Sequence, residues 1–209
     1  MQTQRFLQPN PPLSMEDIVA RENIKELITY ERFCRDNSLW YGMRTCFTSD
    51  SEVTISWFKG TGDEFVDHSQ AMQRYAPHQI YNIQVWQNGA RAIAVMQATI
   101  QSRLDIESET YELQSDAKIT YRVVKQDETW RIQHLDCVYE QDRLMSVLPT
   151  SSSFDRRALA PYRESYACLS YCLNYLGYDV NHQLIGIDQP EALEDFYMRL
   201  DAWLMHDSE

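Results

Sequence analysis

Asp36 and His78 are the two side chains of this 209-residue chain whose types and placement could do acid and base chemistry together. Asp36 stands in Arg35-Asp36-Asn37-Ser38-Leu39-Trp40, where the first strongly helical stretch ends, and His78 follows Pro77 at the start of the first long strand-like run. A carboxylate bonded to one imidazole nitrogen fixes the tautomer of the other and raises its basicity. The ring is then suited to removing a proton next to a carbonyl or triggering loss of water. Each residue also has a plain structural reading. Asp36 could cap a helix beginning near Leu39, because Asp, Asn and Ser are all good N-caps, and His78 could be an ordinary strand-end histidine.

Other chemically active residues form weaker patterns. His134 and Asp136, two apart on one strand, share a face, but no third ligand accompanies them, and they read as an outer-face or dimer-contact pair rather than a zinc site. Cys168 and Cys172 lie one helical turn apart and read as small apolar core residues. His68, His182 and His206 have no visible partners and read as surface histidines. The chain has six glycines, no glycine-rich phosphate loop and no serine nucleophile elbow, so neither a nucleotide cofactor nor serine hydrolase chemistry is expected. No metal and no cofactor is expected.

Composition narrows the partners. A hydrophobic fraction of 44% with 13 Tyr, 7 Phe and 5 Trp is that of a folded protein with a real core. The net charge of −12, with 19 scattered basic residues, works against phosphate backbones, so nucleic acid is not expected as a partner. No apolar run approaches the ~18 residues of a membrane span, and no signal peptide is recognised. The five cysteines are odd in number and form no CxxC pair. A soluble cytoplasmic protein without membrane contact is expected.

The elements that must position Asp36 and His78 follow from periodicity and punctuation. Residues 1–13, with Pro9, Pro11 and Pro12, read as a loosely ordered leader. Ser14 and Asp17 resemble a capping box, and a helix then runs from Met15 towards Arg35 with Ile24, Leu27, Ile28 and Phe33 inward. A short helix is predicted over Leu39 to Phe47, a strand over Val53 to Phe58, and a third helix with Phe65, Val66, Ser69, Met72 and Gln73 at helical spacing up to Pro77. The period then changes to two, giving strands over Gln79 to Trp86, Arg91 to Arg103, Tyr111 to Lys125 and Trp130 to Glu140, with Asn88-Gly89 a hairpin signal. Helices first and an antiparallel meander afterwards is an α+β pattern, with a pocket between helices and a curved sheet. Pro149 to Ser153 reads as a linker. Two more helices follow it, one after Pro161 with Gly177 as its stop, and one from Asp188 and Pro190 with a Leu193-to-Leu204 apolar stripe.

The stretch Tyr30 to Phe47, with the Arg35-to-Trp40 core, then Phe47-Thr48-Ser49-Asp50, His78, Tyr121-Arg122 and Trp130-Arg131-Ile132, resembles the SnoaL-like branch of the nuclear transport factor superfamily. The resemblance spans roughly residues 15 to 145. It implies a cystatin-like, cone-shaped α+β barrel over residues 14–148, with residues 149–209 a helical extension packing on the barrel or on a partner chain. It also implies relatives such as scytalone dehydratase, bile-acid dehydratase and polyketide cyclases, and a homodimer formed through the open sheet.

Under that resemblance Asp36 falls where the dehydratases keep an acid and His78 where they keep the proton-abstracting histidine. The tyrosine that precedes the acid in scytalone dehydratase is replaced by Arg35, and its second catalytic histidine aligns near Ser102. The family geometry points Met96, Ile100 and Ser102 inward, joined by Trp57 and Tyr139, as walls for a small, flat, hydrophobic molecule. A one-residue error in strand phase would exchange these for their neighbours. Two functions remain open. One is a cofactor-independent lyase or isomerase, dehydratase- or cyclase-like, acting on a cyclic or polyketide-like molecule. The other is a non-catalytic ligand-binding or dimerisation module of the same fold.

Overall fold

The computed structural model describes residues 10–72, 74–149 and 154–205. Most of the expected leader, Gln73, four of the five linker residues and His206 therefore lie outside the described residues. The first helix, α1 (Met15–Asp36), starts where the sequence signals it. The Ser14 hydroxyl accepts the Asp17 N–H at 3.1 Å and the Asp17 carboxylate takes the Ser14 N–H at 3.0 Å, closing a capping box. Its buried face runs through Ile24, Ile28, Glu31, Arg32 and Cys34. Phe33, expected inward, is exposed instead, because the inward stripe continues into a charged pair.

The short helix α2 (Trp40–Arg44) ends before Phe47, which opens strand β1 (Phe47–Ile55) rather than closing a helix. Ser56 and Trp57 form a tight turn into β2 (Phe58–Gly60), so the single strand expected over Val53 to Phe58 is a hairpin. Helix α3 (Gly62–Met72) buries Phe65, Val66 and Ser69. Strands β3 (His78–Asn88), β4 (Arg91–Ile106), β5 (Glu109–Gln126) and β6 (Thr129–Ser146) follow as an antiparallel meander, each longer than its periodicity predicts. Gly89 takes a φ of +55° between β3 and β4, the left-handed conformation that makes Asn-Gly a hairpin turn. The sheet order is β2-β1-β6-β5-β4-β3, with β1 parallel to β6.

Bulges decide which side chains look inward. A shift at Tyr81 in β3 lets both His78 and Ile83 pair with inward residues of β4, although their separation is odd. Shifts at Gln133 and Glu140 do the same for Ile132, Leu135, Tyr139 and Asp142 on β6. Such bulges bend the sheet around the helices.

The C-terminal extension packs on both sides of this sheet. Helix α4 (Ala167–Tyr175) begins later than Pro161, after short 3₁₀ turns, and contacts β5 and β6 on the inner side. Residues 185–187 add to the edge of β6 beyond the end of β1, where the Tyr139 N–H donates to the Ile185 carbonyl and the Ile187 N–H to the Tyr139 carbonyl, each at 3.0 Å. Arg163 and Ser165 grip the Asp188 carboxylate beside them. A side chain at Gly186 would collide with Ser165, so the clasp needs glycine there. Helix α5 (Pro190–Met205) lays Phe196, Leu200 and Leu204 on Ile93 and Val138 of the outer face. The apolar stripe thus serves the chain's own core. No helix among the described residues is long and apolar enough to cross a membrane.

Candidate active site

The end of α1 and the start of β3 meet at Asp36 and His78. The His78 main-chain N–H donates to Asp36 Oδ2 at 2.8 Å and its Nδ1–H donates to Oδ1 at 2.8 Å. An ionised carboxylate only accepts hydrogen bonds, so this contact fixes the proton of a neutral ring on Nδ1 and leaves Nε2 unprotonated, as an acceptor. The N-cap reading of Asp36 fails: Leu39 occupies the cap of α2 without a side-chain bond. Asp36 is held below the ordinary carboxylate range, because burial, which opposes its charge, is outweighed by the His78 hydrogen bonds and the charge of Arg32.

The imidazole departs from expectation in one respect. Burial, with Arg32 and Arg35 nearby, outweighs Asp36 and pushes His78 down to about 4 rather than up. The side chain is 6% exposed. The ring is therefore an unprotonated base throughout the neutral range, at some loss of proton affinity.

Arg32 stands against the other edge of that ring, its Nη1–H donating to His78 Nε2 in a long hydrogen bond of 3.5 Å. Its other two nitrogens engage the fully buried Glu31 in a bidentate ion pair, and the Tyr121 hydroxyl donates to Glu31 at 3.4 Å. Burial works against the guanidinium charge, but Glu31 and Tyr121 outweigh it and hold Arg32 above its ordinary value. A fixed cation thus lies beside the base, where negative charge on a reacting molecule would develop.

Both groups line a mostly apolar cavity of about 80 Å³, walled by Ile55, Phe65, Ile100, Leu113, Ile119 and Leu135. Helix α4 and the segment after it close the cavity with Leu169, Cys172, Leu173, Leu176 and Tyr178. At ~10–15 Å³ for one water, such a space takes several waters or one small ring.

Residues 16–136, more than half of the chain, match the model of the SnoaL-like domain. The chain belongs to the SnoaL-like domain family. Among solved structures, a hexachlorocyclohexane dehydrochlorinase, LinA type 2, is 12% identical with a TM-score of 0.55, over 66% of this chain and 97% of that one. A second LinA structure is 12% identical with a TM-score of 0.52, over 66% and 96%. A candidate scytalone dehydratase from Novosphingobium aromaticivorans DSM 12444 is 16% identical with a TM-score of 0.50, over 66% and 97%. No curated protein matches. The fold is the cystatin-like α+β barrel of this family, and the likeness at these identities concerns the fold alone.

Of the residues that sequence selects for its wall, the SnoaL-like domain brings Trp57, Ile100, Ser102 and Tyr139 to the cavity. Trp57 arrives from the β1–β2 turn rather than from a strand, and Tyr139 is fully buried with its hydroxyl accepting the Ser56 N–H at 3.0 Å. Met96 is not on the wall. It shares the inner face with Ile100 but lies four residues nearer the Asn88–Arg91 hairpin, where the space is filled and it is wholly buried. His134 and Asp136 lie on the opposite face from Leu135 and Cys137, with Arg122 3.3 Å from Asp136. Among the described residues no group of three or more His, Cys, Asp and Glu side chains could hold a metal ion. Sequence reading missed Glu31, Arg32, Arg74 and the α4 residues of the wall.

Proposed function

We propose that this SnoaL-like domain is a cofactor-independent lyase that eliminates a proton and a neighbouring leaving group from a small, largely apolar ring. The observation that carries this reading is the Asp36-fixed imidazole that lines a mostly apolar cavity, with its unprotonated Nε2 beside a buried guanidinium. His78 Nε2 takes the proton from carbon, and the C–H electron pair becomes the new double bond. The leaving group departs with its bonding pair as an anion or, once protonated by the imidazolium, as a neutral molecule. Asp36 keeps the ring in its working tautomer and balances the imidazolium, while Arg32 stabilises the negative charge that develops as the proton leaves.

The family and the names of the structural relatives, a dehydrochlorinase and a candidate dehydratase, support elimination chemistry over other uses of the pair. The cavity volume favours a single small ring over a multi-ring polyketide. All five cysteines are buried free thiols, which fits work in a reducing cytoplasm.

The test is to incubate the purified protein with a small-molecule extract in heavy water and follow each compound by mass spectrometry. The reading expects compounds that lose water or hydrogen halide, or take up deuterium, with the wild type and not with a folded His78→Ala variant. Equal conversion by both proteins would leave the non-catalytic binding module as the better account.

A further inference from the structure

We infer that the molecule entering this cavity carries an anionic group, a carboxylate in the simplest case, which is received by Arg74 and Ser102 at the cavity mouth. This rests on the proposed site and adds the class of its substrate.

The lining contains Arg32, Arg35 and Arg74 and, among the described residues, no aspartate or glutamate. In a chain of net charge −12 that is a local inversion of sign, and a narrow apolar site focuses it on whatever enters. Two of the three cations are answered inside the protein. Arg32 is locked to Glu31, and Arg35 lies 3.6 Å from Asp36 and donates to the Ala76 carbonyl at 3.1 Å. Arg74 forms no ion pair among the described residues, and its one hydrogen bond there is a long one, 3.5 Å to the Arg103 carbonyl. Its charge reaches the cavity wall, where burial and then the Asp142 carboxylate raise the Cys172 thiol to about 12 and Arg74 opposes them by the smaller amount.

Arg74 also stands at the way in. Met72, Arg74 and Ser102 line both the cavity and an outer groove formed with Gln79, Gln101, Arg103 and Glu112. Ser102 Oγ is buried there without a hydrogen-bond partner. A guanidinium fork and a spare hydroxyl donor in one doorway suit a carboxylate, which takes two parallel N–H bonds and an O–H bond. An acid anchored at the mouth would send its apolar body inward, towards the wall shared by His78 and Ile100.

Benzoate and benzamide have the same shape and differ in charge, so they separate charge recognition from shape. Calorimetry on the full chain should show benzoate binding at least tenfold more tightly than benzamide. Arg74→Gln should bring the two within about twofold, Arg74→Lys should keep much of the preference, and Ser102→Ala should weaken benzoate alone. His78→Ala should leave the preference intact, because the anion site does not depend on the base. Equal binding of the two compounds, no saturable benzoate binding, or a preference that survives in a folded Arg74→Gln variant would overturn the inference. Elimination from uncharged compounds at an undiminished rate in Arg74→Gln would overturn it while leaving the lyase standing. Arg74-dependent binding without turnover would do the reverse.

Discussion

Asp36 holds His78 at two points, accepting its main-chain N–H with one carboxylate oxygen and its ring Nδ1–H with the other, each at 2.8 Å. The helix end is thereby tied to the strand start, and the ring is aimed by the same contact that sets its tautomer.

Replacing either partner should therefore remove turnover more than stability. Asp36→Asn keeps the shape but offers an amide where two acceptors are needed. It should lower the elimination rate by about 10²–10⁴-fold, as should His78→Ala, with the thermal midpoint down by only a few degrees. Steady-state rates on a compound found by the heavy-water screen, with melting curves alongside, check this. Collapse of folding in both variants would make the pair structural.

Acid should act on the same ring. His78 folds with its affinity for protons depressed from 6.5 to about 4. Between those values the unfolded chain binds the proton and the folded one does not. The ring's contribution is thus fully present above pH 6.5 and is lost as pH falls towards 4, by roughly 3 kcal/mol at most. Activity should stay level from neutral pH to about 5 and then fall with a midpoint near 4. Denaturant unfolding of the wild type and of His78→Phe across this range should show a steeper loss in the wild type.

Glu31 and Arg32 make the second prediction about stability. Glu31→Gln would leave a buried guanidinium without its counter-charge, an effect of about 3–5 kcal/mol. In a chain of this length that lowers the melting temperature by on the order of 10 °C. Tyr121→Phe, which removes only a 3.4 Å bond to the same carboxylate, should shift it by a few degrees at most.

On the far side of the sheet, Leu200→Ala should weaken the protein by about 2–4 kcal/mol through the cavity it leaves against Ile93 and Val138, while the His78 site stays unchanged. Melting curves and the activity assay together test this. Because α5 covers this strip, the homodimer implied by the family resemblance would have to form elsewhere. A Leu200→Ala variant that changes oligomeric state rather than stability would contradict the packing described.

The sequence carried the long elements and put Asp36 at a helix end and His78 at a strand start, because capping residues, Pro77 and a change of period are local signals; their pairing was what the family resemblance implied. It did not carry Glu31 and Arg32. These continue the inward spacing from Ile24 and Ile28, but charged residues read as a solvent face, and only the tertiary pairing reverses that. The same spacing taken seriously would have found them, at the expense of Phe33. Strand phase is legible along β4, from Met96 to Ser102, and at Tyr139, but the bulges at Tyr81, Gln133 and Glu140 leave no mark in the alternation, so phase does not carry along β3 and β6. Met96 was misplaced on the wall because alternation reports a face and not the depth to which that face is filled. The α4 side of the cavity was invisible for a simpler reason. Its residues read as one half of an amphipathic helix, and nothing local says what that half covers.

The most direct measurement is a nitrogen-15 NMR titration of the His78 ring. The expected result is a neutral ring at pH 7 with its proton on Nδ1, titrating near pH 4 and losing that tautomer preference in Asp36→Asn. A ring that titrates near 6.5, or one that carries its proton on Nε2 at neutral pH, would contradict it.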